Sequence, residues 1–267
     1  MLKQADLRGN TIAYTITGNG NAIVLLHGFL ESKAIWEDFT EKLCCEFTII
    51  AIDLPGHGGS PVIDGTHTMQ LMAETVKAVL DAESIHSTII VGHSMGGYVA
   101  LQFASDYPEI IKGLVLFHSH AAADSEQVLE DRRRTINIVK QNHVGFIRHF
   151  IPLLFDQKYV EKHAADIQNL QEQATAMSSE AVIAAISGMS RRSDQLNFLL
   201  LTEIPVLFIV GKQDSRIPFQ QVLAQAVIPS HSEILILENV GHMGFIESAA
   251  KTLQALRHFA LKCFENT

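Results

Sequence analysis

Short apolar runs alternate with amphipathic stretches along most of this chain, and the alternation predicts an α/β sheet. The first 17 residues read as a hairpin: LKQADL, a turn at Arg8-Gly9-Asn10, then TIAYTIT with apolar side chains at every second position. Mostly apolar runs follow in AIVLL, EFTIIAID, STIIV, IIKGLVLF, VLFIV and EILIL. Runs this short, with no polar face, fit strands covered on both sides. Between them lie stretches of helical spacing at residues 32–43, 68–82 and 95–105, and a last one at 247–264. In 68–82, Leu71, Met72, Thr75, Val79 and Leu80 share one side. Strands alternating with helices imply a mostly parallel sheet with right-handed crossovers.

The alternation stops after the sixth strand, which ends at Phe117. From 121 to 201 only helical segments are predicted, at residues 125–141, 144–155, 158–177, 179–190 and 194–201. We therefore expect an α/β core formed by residues 1–120 and 202–267. An all-helical cap, 121–201, is expected to lie over the carboxyl edge of the sheet, where it would exclude water and shape a pocket. No internal repeat or flexible linker interrupts the pattern.

Charge and composition narrow the partners. Lys plus Arg is 20 and Asp plus Glu is 29, a net charge of −9, which argues against nucleic acid or an anionic membrane surface. Cys44, Cys45 and Cys263 are an odd number without metal-ligand spacing and are read as reduced thiols. The N-terminal MLKQADLRGN lacks a signal pattern, and no apolar stretch approaches the roughly 18 residues of a membrane span. A cytoplasmic location is the expectation.

Candidate chemistry concentrates after the strands. VGHSMGG, residues 91–97, sets Ser94 between Gly92 and Gly96 at a strand-to-helix junction, the G-x-S-x-G pattern of a nucleophile elbow. Such a turn lifts the hydroxyl off the sheet and aims the Met95 N–H into the same space. A serine hydroxyl needs a base. Asp214 follows VLFIV by a few residues and His242 follows EILIL by a few, so all three sit past carboxyl ends of strands, where open parallel sheets form their sites. The run AIVLLHGF adds a turn that would bring the Phe29 N–H opposite that of Met95. The His27 imidazole is read as structural.

HGF at 27–29, DLPGHGGS at 53–60, GHSMGG at 92–97, GKQD at 211–214 and GHM at 241–243 together resemble the α/β-hydrolase superfamily, over nearly the whole chain. The resemblance implies Ser94 as nucleophile, His242 as base, Asp214 as orienting acid, and the Phe29 and Met95 amides as oxyanion hole. It implies hydrolysis of a small carboxylic ester, thioester or lactone with an apolar acyl part, needing no metal or organic cofactor. Two alternatives stay open. One is carbon–carbon bond chemistry of the meta-cleavage or menaquinone-pathway type; the other is a non-catalytic ligand-binding protein on the same scaffold. Serine at position 94 disfavours relatives with an aspartate nucleophile.

Other residues are weighed against plainer roles. His118 and His120 follow the sixth strand and are candidate pocket-lining groups or structural ones, with no third ligand at metal spacing. Phe29, Met95, Phe146, Phe150 and Phe155 are candidates for an apolar acyl pocket. Asp124 is an alternative acid. Asp131-Arg132-Arg133-Arg134 reads as a solvated helix face, the alternative being one arginine turned inward onto a substrate carboxylate.

Overall fold

The computed structural model describes residues 1–265. The chain runs β1 (Leu2–Leu7), β2 (Asn10–Thr17), β3 (Ala22–Leu26), α1 (Glu37–Leu43), β4 (Thr48–Ile52), α2 (Met69–Ala82), β5 (Thr88–His93), α3 (Met95–Asp106) and β6 (Ile111–Phe117). It continues with α4 (Glu126–Phe150), α5 (Ala164–Thr175), α6 (Ser179–Met189), α7 (Leu196–Leu201), β7 (Val206–Gly211), α8 (Phe219–Ala226), β8 (Ser232–Leu237), α9 (Gly244–Glu247) and α10 (Ala249–Glu265).

One eight-stranded sheet, ordered β1-β2-β4-β3-β5-β6-β7-β8, forms the centre. The β1–β2 and β2–β4 pairs are antiparallel and the rest are parallel. Every residue of β3 and β5 is buried, as continuous apolar runs between two helical layers require. The strand order reverses at β3, which pairs with β4 on one side and β5 on the other. A crevice opens beyond the carboxyl ends at such a reversal. Leu26 stands opposite Gly92, so the segments that follow β3 and β5 leave the sheet side by side.

EILIL behaves differently from its sequence reading as a buried strand. β8 is the edge of the sheet, its burial alternates, and Ile234 and Ile236 are 38% and 39% exposed. β8 pairs only with β7, and the face that carries Ile234 and Ile236 is left partly open to solvent.

The described residues between β6 and β7 contain no strand. α4 and α6 begin with serine caps: Ser125 accepts from the Val128 N–H at 3.4 Å and Ser178 from the Ala181 N–H at 3.2 Å. α4 bends at Asn142, whose backbone leaves the helical region (φ −158, ψ 81). The Asn142 Oδ1 accepts from the Gly145 N–H at 2.8 Å, so the second half of α4 starts as a freshly capped helix. The bend lies in the gap between the predicted segments 125–141 and 144–155. Among the described residues, no helix is long and apolar enough to cross a membrane.

Candidate active site

Ser94 occupies the turn between β5 and α3 with φ 51 and ψ −113, a conformation costly for any residue with a side chain. Its surroundings hold it there. The Ser94 N–H donates to the Phe117 carbonyl at 2.9 Å, and the Ser119 hydroxyl donates to the Ser94 carbonyl at 2.8 Å. The turn is so tight that a Cβ on Gly92 would lie 2.2 Å from the Gly96 carbonyl oxygen. That explains the small residues on either side of Ser94.

Beyond β7, the Asp214 carboxylate is fully buried and accepts four N–H groups. Oδ2 takes His242 Nδ1 at 2.8 Å and His118 Nδ1 at 2.9 Å, and Oδ1 takes the backbone amides of Arg216 at 2.8 Å and Ile217 at 2.9 Å. Burial alone would raise this carboxyl, but the two imidazoles outweigh it and hold it well below the usual carboxylate range. His242 thus offers Nδ1 to Asp214 and keeps Nε2 for the cavity it lines with Ser94. Its loop is held by Glu247, which accepts from the Gly241, Met243 and Asp156 amides at 3.0, 3.1 and 2.8 Å. The Leu154 carbonyl, from the helical insertion, accepts the His242 N–H at 2.6 Å.

His118 differs from a pocket-lining expectation. It is fully buried behind Asp214 with φ 48, and its Nε2 has no partner among the described residues. Burial pushes its pKa down to about 4, so the ring is neutral with its proton on Nδ1. His120 also stays off the cavity that Ser94 lines, 3.5 Å from the Tyr98 hydroxyl and 3.3 Å from the Gln221 amide. Phe29, Phe146 and Phe150 do face the cavity, whereas Phe155 and Met95 are packed in the core. Asp124 sits among arginines rather than beside His242.

His118, Asp214 and His242 bring three ligand atoms within 4.8 Å of one another. The 2.8 and 2.9 Å contacts are those of N–H···O bonds. They are shorter than the roughly 3.3 Å ligand–ligand edges of a tetrahedral zinc site with bonds of about 2.0–2.1 Å. The arrangement suits a relay of hydrogen bonds better than an ion.

Two polar residues that the sequence reading passed over complete the floor. Glu31 and His93 are both buried, with Glu31 Oε2 2.9 Å from His93 Nδ1. His93 Nε2 donates to the His242 carbonyl at 3.0 Å, and the Gly28 N–H donates to Glu31 Oε2 at 2.5 Å. Both ring nitrogens of His93 therefore face acceptors, which makes it an imidazolium. Burial opposes that charge, yet Glu31 raises the His93 pKa, and His93 in turn holds Glu31 below its ordinary value against its own burial. A Cβ on Gly28 would come within 2.7 Å of Glu31 Oε2 and 2.9 Å of His93 Nδ1, so glycine there makes room for the pair. His93 was visible as the x of G-x-S-x-G; nothing in the pattern marked its partner 62 residues away.

Above this floor the Phe29 and Met95 amides have no backbone acceptor among the described residues. Met95 opens α3, where the first N–H groups lack intrahelical partners. His27, by contrast, is committed to loop structure: Nε2 accepts the Leu54 N–H at 3.0 Å and Nδ1 donates to the Gly28 carbonyl at 2.8 Å. The cavity measures about 320 Å³.

A parallel sheet with a strained serine at a strand–helix turn and a histidine–aspartate pair at the same edge defines a hydrolase class. Residues 21–249 match the family described as alpha/beta hydrolase fold, and the chain belongs to that family. A thermophilic esterase from Thermogutta terrifontis, solved with malate bound, is 31% identical, with a TM-score of 0.92 over 98% of this chain and 99% of that one. A pimeloyl-[acyl-carrier protein] methyl ester esterase of Xylella fastidiosa is 27% identical over 258 residues, 91% of this chain and 96% of that protein. A Bacillus subtilis protein provisionally named a 2-succinyl-6-hydroxy-2,4-cyclohexadiene-1-carboxylate synthase is 27% identical over 252 residues, 88% of this chain and 90% of that protein.

Proposed function

We propose that the protein hydrolyses a small carboxylic ester, thioester or lactone through an acyl-enzyme on Ser94. The observation that carries this reading is the His242–Asp214 bond on the same cavity as the strained Ser94. The esterase relatives from Thermogutta and Xylella support it. Ser94 Oγ attacks the carbonyl carbon while His242 Nε2 takes its proton, and the oxyanion lies between the Phe29 and Met95 amides. Collapse of the tetrahedral intermediate expels the alcohol or thiol, which receives that proton from His242. Water then attacks the acyl-enzyme with His242 again as base, releasing the acid and restoring the serine hydroxyl. Asp214 fixes the imidazole with its proton on Nδ1 and balances the imidazolium. On this reading residues 121–201 act as a cap that keeps bulk water from the acyl-enzyme, and residues 1–120 and 202–267 as the core.

The Bacillus relative favours a second reading, carbon–carbon bond chemistry at the same serine. Assaying p-nitrophenyl acetate, butyrate and octanoate beside a meta-cleavage dienone separates the two. The expected result is ester turnover. Ser94→Ala should lower it by about 10⁴-fold or more without changing the circular dichroism spectrum. A fluorophosphonate should add a single label, at Ser94. Full activity in the alanine variant, or a label on another residue, removes the assignment.

A further inference from the structure

The cavity that holds Ser94 and His242 has arginine on its wall, and the three consecutive arginines of α4 separate sharply. The side chains of Arg133 and Arg134 are 67% and 65% exposed and pair with Glu130, whereas Arg132 is 18% exposed and lines the cavity. Arg132 Nε donates to Asp124 at 2.6 Å, but Asp124 also takes Arg192, which stacks 4.1 Å over the Tyr98 ring. One carboxylate shared by two guanidinium groups leaves a positive charge over. Arg132 Nη1 has only the Met189 sulfur, 3.5 Å away.

Arg216, from the loop that carries Asp214, adds a second cation at the mouth. Among the described residues its guanidinium has no carboxylate partner. Its Nε donates to the Ser215 hydroxyl at 3.3 Å, and its Cζ lies 5.1 Å from the centre of the Phe150 ring. Phe150 in turn meets Phe29, of the proposed oxyanion hole, edge to face at 6.0 Å. The negative groups on the wall are engaged elsewhere: Glu31 with His93 and the Gly28 amide, Asp131 with Gln127 at 3.1 Å and Arg134 at 3.6 Å.

We propose that the cavity selects esters that carry a free carboxylate, such as a monoester of a short dicarboxylic acid, with Arg216 as the anion-binding residue and Arg132 as the second positive charge. The phenylalanines take the methylene chain while the scissile carbonyl sits at Ser94. A planar guanidinium whose Nη groups have no partner among the described residues is suited to a carboxylate, and one packed against an aromatic ring loses little freedom on binding it. The inference rests on the ester-hydrolase reading.

Monomethyl glutarate and dimethyl glutarate share a skeleton and differ in charge, so the ratio of their kcat/KM values tests it. The wild-type ratio should favour the monoester by about tenfold or more, Arg216→Gln should cut that ratio by about tenfold, mostly through KM, and Arg216→Lys should restore part of it. Raising NaCl from about 0.05 to 0.5 M should slow the monoester selectively. A wild-type preference for the diester, or an equal loss on both esters in Arg216→Gln, overturns the proposal. If neither ester is cleaved, turnover of p-nitrophenyl butyrate judges the ester-hydrolase reading, and the subsite is judged by binding alone. Glutarate should then raise the melting temperature of wild-type protein and not of Arg216→Gln, and equal shifts in both would refute it.

Discussion

A carboxylate that already accepts four N–H groups divides its charge among them, and this decides how strongly Asp214 acts on His242. Asp214→Asn should lower kcat by about 10⁴-fold, because an amide can hold the wrong imidazole tautomer and cannot balance the imidazolium. Asp124→Asn, at a residue committed to Arg132 and Arg192, should cost less than about tenfold on a neutral ester. His118 competes with His242 for the same Oδ2 atom. Its replacement by alanine should leave more negative charge for His242 and change kcat on p-nitrophenyl butyrate, and an unchanged kcat would make His118 a packing group only. That Ser94, Asp214 and His242 share one edge of the sheet was legible in the sequence because each trails an apolar run by only three to five residues. Arg132 was not separable from Arg133 and Arg134, since neighbours on a helix differ only in which one turns inward. Glu31 was invisible, because its role depends on two loops meeting.

Among the elements, the strands were the most legible, since burial on both faces leaves an unbroken apolar run. The edge strand β8 borrowed that signature without the burial, because pairing on one side alone does not change which residues a strand contains. α8 was not singled out, its eight residues being too short for a clear period. The bend of α4 was readable as a gap at residues 142–143, and Phe146 and Phe150 beyond it line the cavity. The insertion is also tied to the core, through the Leu154 carbonyl on His242 and the Leu153 carbonyl on the Ser215 hydroxyl at 2.7 Å. Asn142→Ala removes the cap that restarts the helix, worth about 1 kcal/mol. The expected outcome in steady-state kinetics with p-nitrophenyl butyrate is a several-fold higher KM with kcat nearly kept. A loss confined to kcat would mean that the bend positions the chemistry instead.

At the scale of the whole molecule, neutral histidines sealed inside the fold set its tolerance of acid. Burial takes both His118 and His120 from the ordinary 6.5 down to about 4. Below pH 6.5 the unfolded chain binds protons that the folded chain refuses, so their contribution is full above that value and is lost as pH falls toward 4. His27, His57 and His67 are lowered in the same direction by burial, while the raised His93 acts oppositely. For His118 and His120 alone, at about 1.4 kcal/mol per pH unit, the loss amounts to several kcal/mol by pH 4. Thermal denaturation at constant ionic strength should show a melting temperature several degrees lower at pH 5 than at pH 7.5, and a flat dependence would contradict it. The buried Glu31–His93 pair has a different kind of consequence, for how the sequence can drift. Losing either partner strands a charge under the serine, at a cost of about 3–5 kcal/mol, whereas exchanging both for apolar groups of the same volume is nearly neutral. Positions 28, 31 and 93 should therefore change together or stay fixed in descendants of this chain. Phe146, Phe150 and Arg216 are bound by no such contract and are free to vary as substrates change.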